Sequence, residues 1–516
     1  MEDIDDLGHV WSSMSADIHD LEERCEQYAE WTLPHICPRE ETKHSEQTRG
    51  NVAIGARLVN HLSNRVVDTM FPSDRPFFRL PLSAEAQERL TAENADEQKI
   101  AEFTAEVRKA TTAAEQAGMR KLNVTKYRPV AVLAVQHLCI TGNAMINRHD
   151  DDTRTVYGIK DFRAKRDMKG QLVKAILRDG KKFSTLPEEL QMALKEKKSK
   201  DYLPETPVTL YTYFYWEDNR WHRIQGVDNV IVMSTKRSYV KKDFPLIDLV
   251  WNLSRGEDYG RGLVEDYSVT FHNVDVTTLA MIDLIGIAAD FKFLVNPSSQ
   301  IDIEEWNDAA RGAYMPGMKD DISVPDFPKR MEISIMAEAI AKWERELAQA
   351  FLMNSAAVRD AERVTAEEIR FYARELESAF GGLYSRLALE WQQREAEYLV
   401  SQIDFGDDAD ISIFDVVVTT GLESLSREGE LDNLRLAIAD LQMLDAVPEE
   451  LRGTINPQKL AEFVFGNRGV KTTDFLYTQA ELQQQQAARQ QQEQAALDAQ
   501  TNAAVAQEAG KAAVKQ

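Results

Sequence analysis

The sequence predicts an α+β chain that is mainly α-helical, and three observations carry that reading. From Gly260 to about Ile403, apolar residues recur at spacings of three and four, which sets them along one side of long helices. Between about Gly142 and Val250 the period changes to two, the mark of antiparallel strands. At 516 residues the chain also exceeds the usual size of one core, so two or more subdomains are expected.

Taken in order, residues 10–31 read as one amphipathic helix with Trp11, Met14, Ile18, Leu21, Cys25 and Tyr28 on one side, ended by Pro34 and Pro38. A second helix, Val52 to Phe71, aligns Ile54, Leu58, Leu62, Val66 and Met70 and stops at Pro72. A broadly polar helix covers Ala84 to Ala117, and a fourth runs from Pro129 to Thr141. Strand-like runs then flank the Asp150-Asp151-Asp152 turn, and a hairpin beginning at Phe162 closes at Asp167-Met168-Lys169-Gly170. Thr209 to Trp216, Trp221 to Gln225 and Val230 to Ser234 add strands, with a helix near Leu186 to Lys195. A small antiparallel sheet or barrel is expected.

Two long struts follow. The first, after the turn-like Ser254 to Gly262, carries Val264, Tyr267, Phe271, Val274, Ile282 and Ile285 on one face, with Thr278 filling the gap. The second, roughly Ser334 to Met353, repeats the pattern at Met336, Ile340, Trp343, Leu347 and Phe351, while Glu338, Lys342, Glu344, Arg345 and Glu346 occupy its other faces. At about 1.5 Å per residue each spans roughly 30 Å, longer than an average globular helix. The irregular stretch between them, Phe291 to Pro328, is rich in proline and acids and reads as an insertion.

A third long helix opens on the capping box Thr365-Ala366-Glu367-Glu368, in which the Thr365 hydroxyl and the Glu368 carboxylate satisfy backbone amides otherwise left without partners. Such a cap contributes about 1 kcal/mol. Ile369, Tyr372, Leu376, Phe380, Leu383, Leu387 and Trp391 mark its buried face, and Gly381-Gly382 predicts a kink. Beyond it come a strand-like Ile411 to Thr420, helical stretches Glu428 to Leu444 and Pro457 to Phe465, and a Gln- and Ala-rich tail from Gln479.

A net charge of −24 argues against an adhesive nucleic-acid binder, because tight binding to phosphates needs a basic surface. It is compatible with an acidic conduit that repels DNA and lets it slide, and also with charge that serves solubility alone. Three cysteines, Cys25, Cys37 and Cys139, form no paired framework, as expected of a chain folded in reducing cytoplasm without disulfides. The acidic N-terminus lacks a signal-peptide pattern, and the most apolar run, Leu279 to Ala289, is too short for a bilayer, so a protein neither secreted nor membrane-embedded is expected.

The sequence offers no catalytic constellation. Gly466 to Thr472 has the wrong spacing for a phosphate-binding loop, and Gly260-Arg261-Gly262-Leu263-Val264-Glu265 has Glu where a dinucleotide fingerprint needs its third Gly. His35-Ile36-Cys37 and His149 to Asp152 lack partners at metal-ligand spacing. No Ser, Cys or His stands in a nucleophile context. The expectation is no catalytic residue, no metal and no cofactor.

The runs Phe351 to Ala356, Glu362 to Arg370, Glu375-Leu376-Glu377 and Gly381 to Ser385 closely resemble the portal, or head-to-tail connector, of short-tailed bacteriophages. The resemblance extends through Thr32-Leu33-Pro34, Gly55-Ala56-Arg57, Phe71-Pro72, Leu186 to Glu189, Arg255 to Arg261, Leu294 to Pro297 and Thr420 to Glu423. It implies a portal fold: a ring, expected to hold about twelve copies, around a channel for double-stranded DNA at one capsid vertex. Residues 1–255 would form the wing, with its β subdomain at about 142–250. Residues 256–290 and 333–353 would be the stem helices, 291–332 the clip, and 354–364 the tunnel loop. Residues 365–422 would hold the long wing helix and the strand after it, 423–478 the crown, and 479–516 the tail.

The same resemblance assigns candidate sites. Asn354, Ser355, Arg359, Asp360, Glu362 and Arg363 would face DNA, gating or braking it; an Arg363–Glu367 pair within the helix start is the plainer reading of one of them. Val264, Phe271, Ile282, Ile285, Met336, Ile340, Trp343, Leu347 and Phe351 would pack the stem. Asp302, Glu304, Glu305, Trp306, Asp308 and Arg311 would form the clip docking surface, and Thr365, Glu368, Gly381 and Gly382 the helix cap and kink. Implied partners are the major capsid protein, scaffolding protein, the packaging terminase, a tail adaptor and internal core or ejection proteins, with no membrane. The implied location is the virion, with assembly in host cytoplasm. A helical scaffold or adaptor of the virion that is not a portal is the alternative.

Overall fold

The computed structural model describes residues 6–16, 18–39, 52–73, 76–83, 85–86, 97–196, 202–228, 230–289, 294–299, 301–310, 312–314, 316–318, 321–323, 330–353, 378–380, 382–403, 414–418 and Val464. Apart from Val464, the expected crown lies outside those residues, as do the tail, the tunnel loop, Thr365, Glu368, Arg311 and Gly381.

In place of one helix over 10–31 there are two, α1 (Leu7–Met14) and α2 (His19–Trp31). The hydroxyls of Ser12 and Ser15 donate back to the carbonyls of Gly8 and Trp11, at 2.9 and 2.7 Å, bonds that weaken a helix interior. The two segments also bury into different places. Leu7, Trp11 and Met14 of α1 pack on Ile176, Tyr213 and Ile224 of a sheet, whereas Cys25, Tyr28 and Trp31 of α2 enter the main core. A single straight helix could not serve both surfaces.

The next helices are α3 (Ile54–Met70), α4 (Glu97–Val124) and α5 (Tyr127–Thr141), with α4 reaching seven residues past the expected Ala117. α5 is central: Ala131, Ala134, Val135, Leu138, Cys139 and Ile140 are wholly buried, and α3 lies against it. Gly142 ends α5 with φ of 75°, a left-handed cap, and a Cβ there would stand 2.4 Å from the backbone of Arg261. All three cysteines are buried and free, and burial raises the Cys139 thiol to about 12.

The β region forms two antiparallel sheets, where one sheet or barrel was expected. β2 (Asn143–Arg148), β3 (Arg154–Tyr157) and β9 (Leu246–Val250) pair in the order β3-β2-β9. β4 (Phe162–Arg166), β5 (Leu172–Lys182), β6 (Pro207–Glu217), β7 (Arg220–Val227) and β8 (Val230–Tyr239) form a five-stranded meander. Its two faces are both occupied. Ala164, Ala175 and Phe214 point into the main core, and the alternating Ile176, Tyr213 and Ile224 lie under α1. α6 (Glu188–Glu196) covers one end through Leu190 and Leu194, against Val208, Val227 and Val232.

α7 (Leu263–Asp266) leads into the first strut, α8 (Ser268–Ala289). The insertion holds β10 (Leu294–Val295) paired with β11 (Ile322–Ser323), and a short α9 (Ile303–Asp308) between them. The second strut, α10 (Arg330–Ala350), packs on α8 as a hairpin. The described part of the third long helix comprises α11 (Gly382–Leu387), a π-turn at Ala388–Gln392, and α12 (Gln393–Ser401). The expected strand at 411–420 is described as a bridge at Phe414 to Leu82 and as β12 (Val417–Val418), paired with β1 (Phe78–Arg79). Among the described residues no helix is long and apolar enough to cross a membrane.

Candidate functional site

The α8–α10 hairpin has a buried root and an exposed distal half. At the root, Phe271 lies parallel to Trp31, with ring centroids 6.4 Å apart, and meets Phe351 edge-on at 5.9 Å. Val264, Val274, Ile340, Leu347 and Phe351 are buried with it, and Trp343 packs half-buried against the same core. Met336 is half-buried. Ile282 and Ile285, expected on the same stem face, are 50% and 48% exposed.

At 3.6 residues per turn those two keep the angular position of Val264, Phe271 and Val274, and they are exposed because they lie beyond the reach of the core. On a second side of α8, Val269, Val276 and Leu279 are exposed, at spacings of seven and three, over roughly 15 Å at about 1.5 Å per residue. A helix apolar on more than one side is normally covered on more than one side. One side of α8 is covered by the chain's own core; the other faces solvent in a single chain.

The root also carries the exit toward the candidate tunnel loop. α10 ends at Ala350, and two residues on Leu352 has a φ of 56°, a left-handed conformation unusual for leucine, while Met353 N–H donates to Ala348 O at 2.7 Å. Nε2 of His61 lies 3.3 Å from Leu352 O, and burial, with nearby Arg65 second, lowers the His61 pKa. Asn354, Ser355, Arg359, Asp360, Glu362 and Arg363 lie outside the described residues.

In the insertion, Asp302 acts as the N-cap of α9, its carboxylate accepting from the Glu304 and Glu305 amides at 2.9 and 3.4 Å. Glu304, Glu305 and Asp308 are exposed, and Trp306 is 44% exposed. Ile303, Tyr314 and Met318 add exposed apolar surface that the acid pattern did not signal.

A polar cluster anchors the long helix behind the hairpin. Glu395 of α12 takes a charge-assisted hydrogen bond from Arg154 of β3, both wholly buried. Arg154 also donates to the carbonyl of Asp152, whose carboxylate meets Lys121 at 2.9 Å and the hydroxyl of Tyr398. The Arg148 guanidinium lies over the Tyr398 ring, 3.4 Å from its centroid. Trp391 donates to the Tyr127 hydroxyl, and Gln392 to the carbonyl of Met70. Burial pushes the Glu395 carboxyl up against the pull of Arg154 and Arg148.

The π-turn makes this cluster possible. Leu387, Trp391, Glu395 and Leu399 recur every four residues, a spacing that drifts about 40° per step in an α-helix of 3.6 residues per turn. A wider π-turn absorbs part of the drift and keeps them on one side. Gly382, expected at a kink, begins α11 on the exposed side, with open space around it. Trp391 was legible as a buried position; Arg154 and Glu395, 241 residues apart, carried no spacing signal.

Among the described residues no group of His, Cys, Asp and Glu is placed to hold a metal. The arrangement is a braced frame: a polar cluster fixes the long helix, an aromatic root fixes the hairpin, and the hairpin leaves apolar side chains of α8 exposed.

Residues 5–473 match the family described as bacteriophage head to tail connecting protein. The portal protein of Enterobacteria phage SP6 is 29% identical over 484 residues, covering 93% of this chain and 91% of that protein. The portal protein of Escherichia phage T7 is 26% identical over 490 residues, covering 93% of this chain and 89% of its own length. A solved chain from the virion of a native gene transfer agent particle aligns over 75% of this chain and 86% of its own, at 12% identity and a TM-score of 0.34, too distant to carry detail across.

Proposed function

The chain belongs to the bacteriophage head to tail connecting protein family, and we propose that it works as the portal at a capsid vertex, about twelve copies closing into a ring around a channel for double-stranded DNA. In this role it is a structural component of the particle and not an enzyme. Genome enters through the channel during packaging and leaves through it on ejection, and the tail attaches at the clip end.

The observation that carries the ring is the exposed apolar surface of α8, with Val269, Val276 and Leu279 on one side and Ile282 beyond the core on the other. A neighbouring copy covers it. Completing the burial of four such half-exposed side chains contributes about 3–6 kcal/mol per interface, taking half of the roughly 1.5–3 kcal/mol for a fully buried one. The root cluster around Phe271, Leu347 and Phe351 holds each hairpin at a fixed angle, so successive copies repeat one rotation and the ring closes.

Within that ring we assign the stem to α8 and α10 and the clip to the insertion between them. The tunnel loop is Asn354 to Val364, departing at the left-handed Leu352. Arg359 and Arg363 touch DNA phosphates while Asp360 and Glu362 keep the hold weak. The clip offers Glu304, Glu305, Trp306 and Asp308 to the terminase and later to a tail adaptor. The major capsid protein, scaffolding protein and internal core or ejection proteins complete the partner set, during assembly in host cytoplasm and then in the virion.

Electron microscopy of the purified chain tests the reading: rings with a central channel and about twelvefold symmetry are expected. Val276→Asp with Leu279→Asp should keep the helical content and lose the rings. A compact monomer at micromolar concentration under every condition, unaffected by those substitutions, overturns the ring.

A further inference from the structure

Where the two sheets meet the long helix, a cavity of about 510 Å³ opens to solvent. Part of its wall is aromatic and aliphatic, within a lining that is otherwise charged and polar. Trp221 stacks on Phe244 with ring centroids 4.1 Å apart, Trp216 meets Trp221 edge-on at 5.5 Å, and Leu253 completes the wall.

Its rim carries cations, and two of the lysines are free. The side chains of Lys169, from the β4–β5 turn, and Lys241, from the turn after β8, make no hydrogen bond or ion pair among the described residues. Arg386 adds a guanidinium from α11. The acids of the same wall are engaged. Asp248 takes two hydrogen bonds from Arg166, at 2.6 and 2.8 Å, and Asp167 accepts from the backbone amides of Lys169 and Gln171, each at 2.8 Å. Burial, with Asp248 second, raises the pKa of Glu390, the acid most ready to hold a proton here.

The surroundings share this sign. Residues 160–243 hold 19 Lys and Arg against 12 Asp and Glu, a net of +7 in a chain whose net charge is −24. The cavity therefore lies on a basic portion of an acidic protein. A DNA duplex presents a convex rod of phosphates and does not fill a recess walled with indoles. A single strand would need an open ring face for its bases, and the face of Trp221 is covered by Phe244. A peptide carrying carboxylates beside one aliphatic side chain matches both the wall and the rim, and the volume lies in the range of binding pockets.

We propose that this cavity docks an acidic segment of a partner protein, with one aliphatic side chain against Trp216 and Leu253 and carboxylates on Lys169, Lys241 and Arg386. It is a contact point on the β subdomain, separate from the clip.

The test titrates the assembled full-length chain with a fluorescein-labelled ten-residue peptide of glutamates around a central leucine, followed by anisotropy. Saturable binding is expected. It should weaken about tenfold for the glutamine counterpart, for an all-glutamate peptide, and for the Lys169→Glu, Lys241→Glu variant, whose exposed positions leave folding intact. Equal binding by any of those three, or no saturation at millimolar peptide, overturns the proposal. Preference for an oligothymidylate of equal charge overturns it in favour of single-stranded nucleic acid.

Discussion

The guanidinium of Arg154 and the carboxylate of Glu395 meet inside the protein, each side chain 1% exposed, joining the β2–β3 hairpin to the long helix across 241 residues of chain. Removing one partner strands the other charge away from water, which costs far more than the pair contributes. Glu395→Ala should therefore lower stability by about 3–5 kcal/mol in urea unfolding. The double change Arg154→Met, Glu395→Leu should cost less than the single one, since both charges leave together. A single substitution that moves the urea midpoint no more than a surface change does would remove the pair from the frame.

His137 supplies a pH dependence. Burial, with His35 second, lowers its pKa from 6.5 to about 4. The unfolded chain binds this proton first, so the stabilising contribution is present above pH 6.5 and is lost as pH falls through about 4. The loss approaches about 3 kcal/mol at 1.36 kcal/mol per unit. Urea midpoints of His137→Gln should fall less steeply across that window than those of the parent; identical slopes would assign the acid sensitivity elsewhere.

Gly262 joins α5 to the root of the hairpin. A Cβ on it would meet the carbonyl oxygens of Cys139 and Ile140 at 2.7 and 2.9 Å and the amide of Gly142 at 2.9 Å, all backbone atoms that cannot swing aside. Nearby, Asn143 holds Gly260 by both its amide and its carbonyl, at 2.7 and 2.8 Å. Gly262→Ala should cost about 1–3 kcal/mol and reduce ring yield by tilting the hairpin. Thermal melts and ring counts by electron microscopy check both, and a neutral effect on each would show that the contact gives way freely.

For the tunnel loop, Arg359→Ala and Arg363→Ala should leave rings intact and impair filling or retention of DNA in a packaging assay. Unchanged filling and retention would take the loop's cations out of the mechanism and leave Arg363 as an i,i+4 partner of Glu367, a contact of about 0.2–0.5 kcal/mol.

Much of the fold was legible because periodicity is local. The run Phe271, Val274, Leu347 and Phe351 marked what became the hairpin root, and the shift to period two marked the β region, although the strand from Val230 runs on to Tyr239 and Leu246–Val250 was not among the expected strands. The break between Met14 and His19 was not legible, because it arises from α1 and α2 seeking different surfaces. Nor was the division into two sheets, which depends on β9 pairing with β2 in preference to its neighbour in sequence, β8. Asp302 shows the same limit at one residue: its type in the sequence did not signal that it caps α9.

By itself the sequence determined the helical struts, the strands, the acidic balance and the motif order that ties the chain to its family. Tertiary structure alone decided that Arg154 finds Glu395, that a π-turn re-phases the long helix, and that half of α8's apolar surface stays uncovered in one chain. The reason is the range of the interactions. Backbone geometry and hydrophobic period act over a few residues, whereas the cost of burying a charge or exposing an apolar face is settled only when distant segments meet.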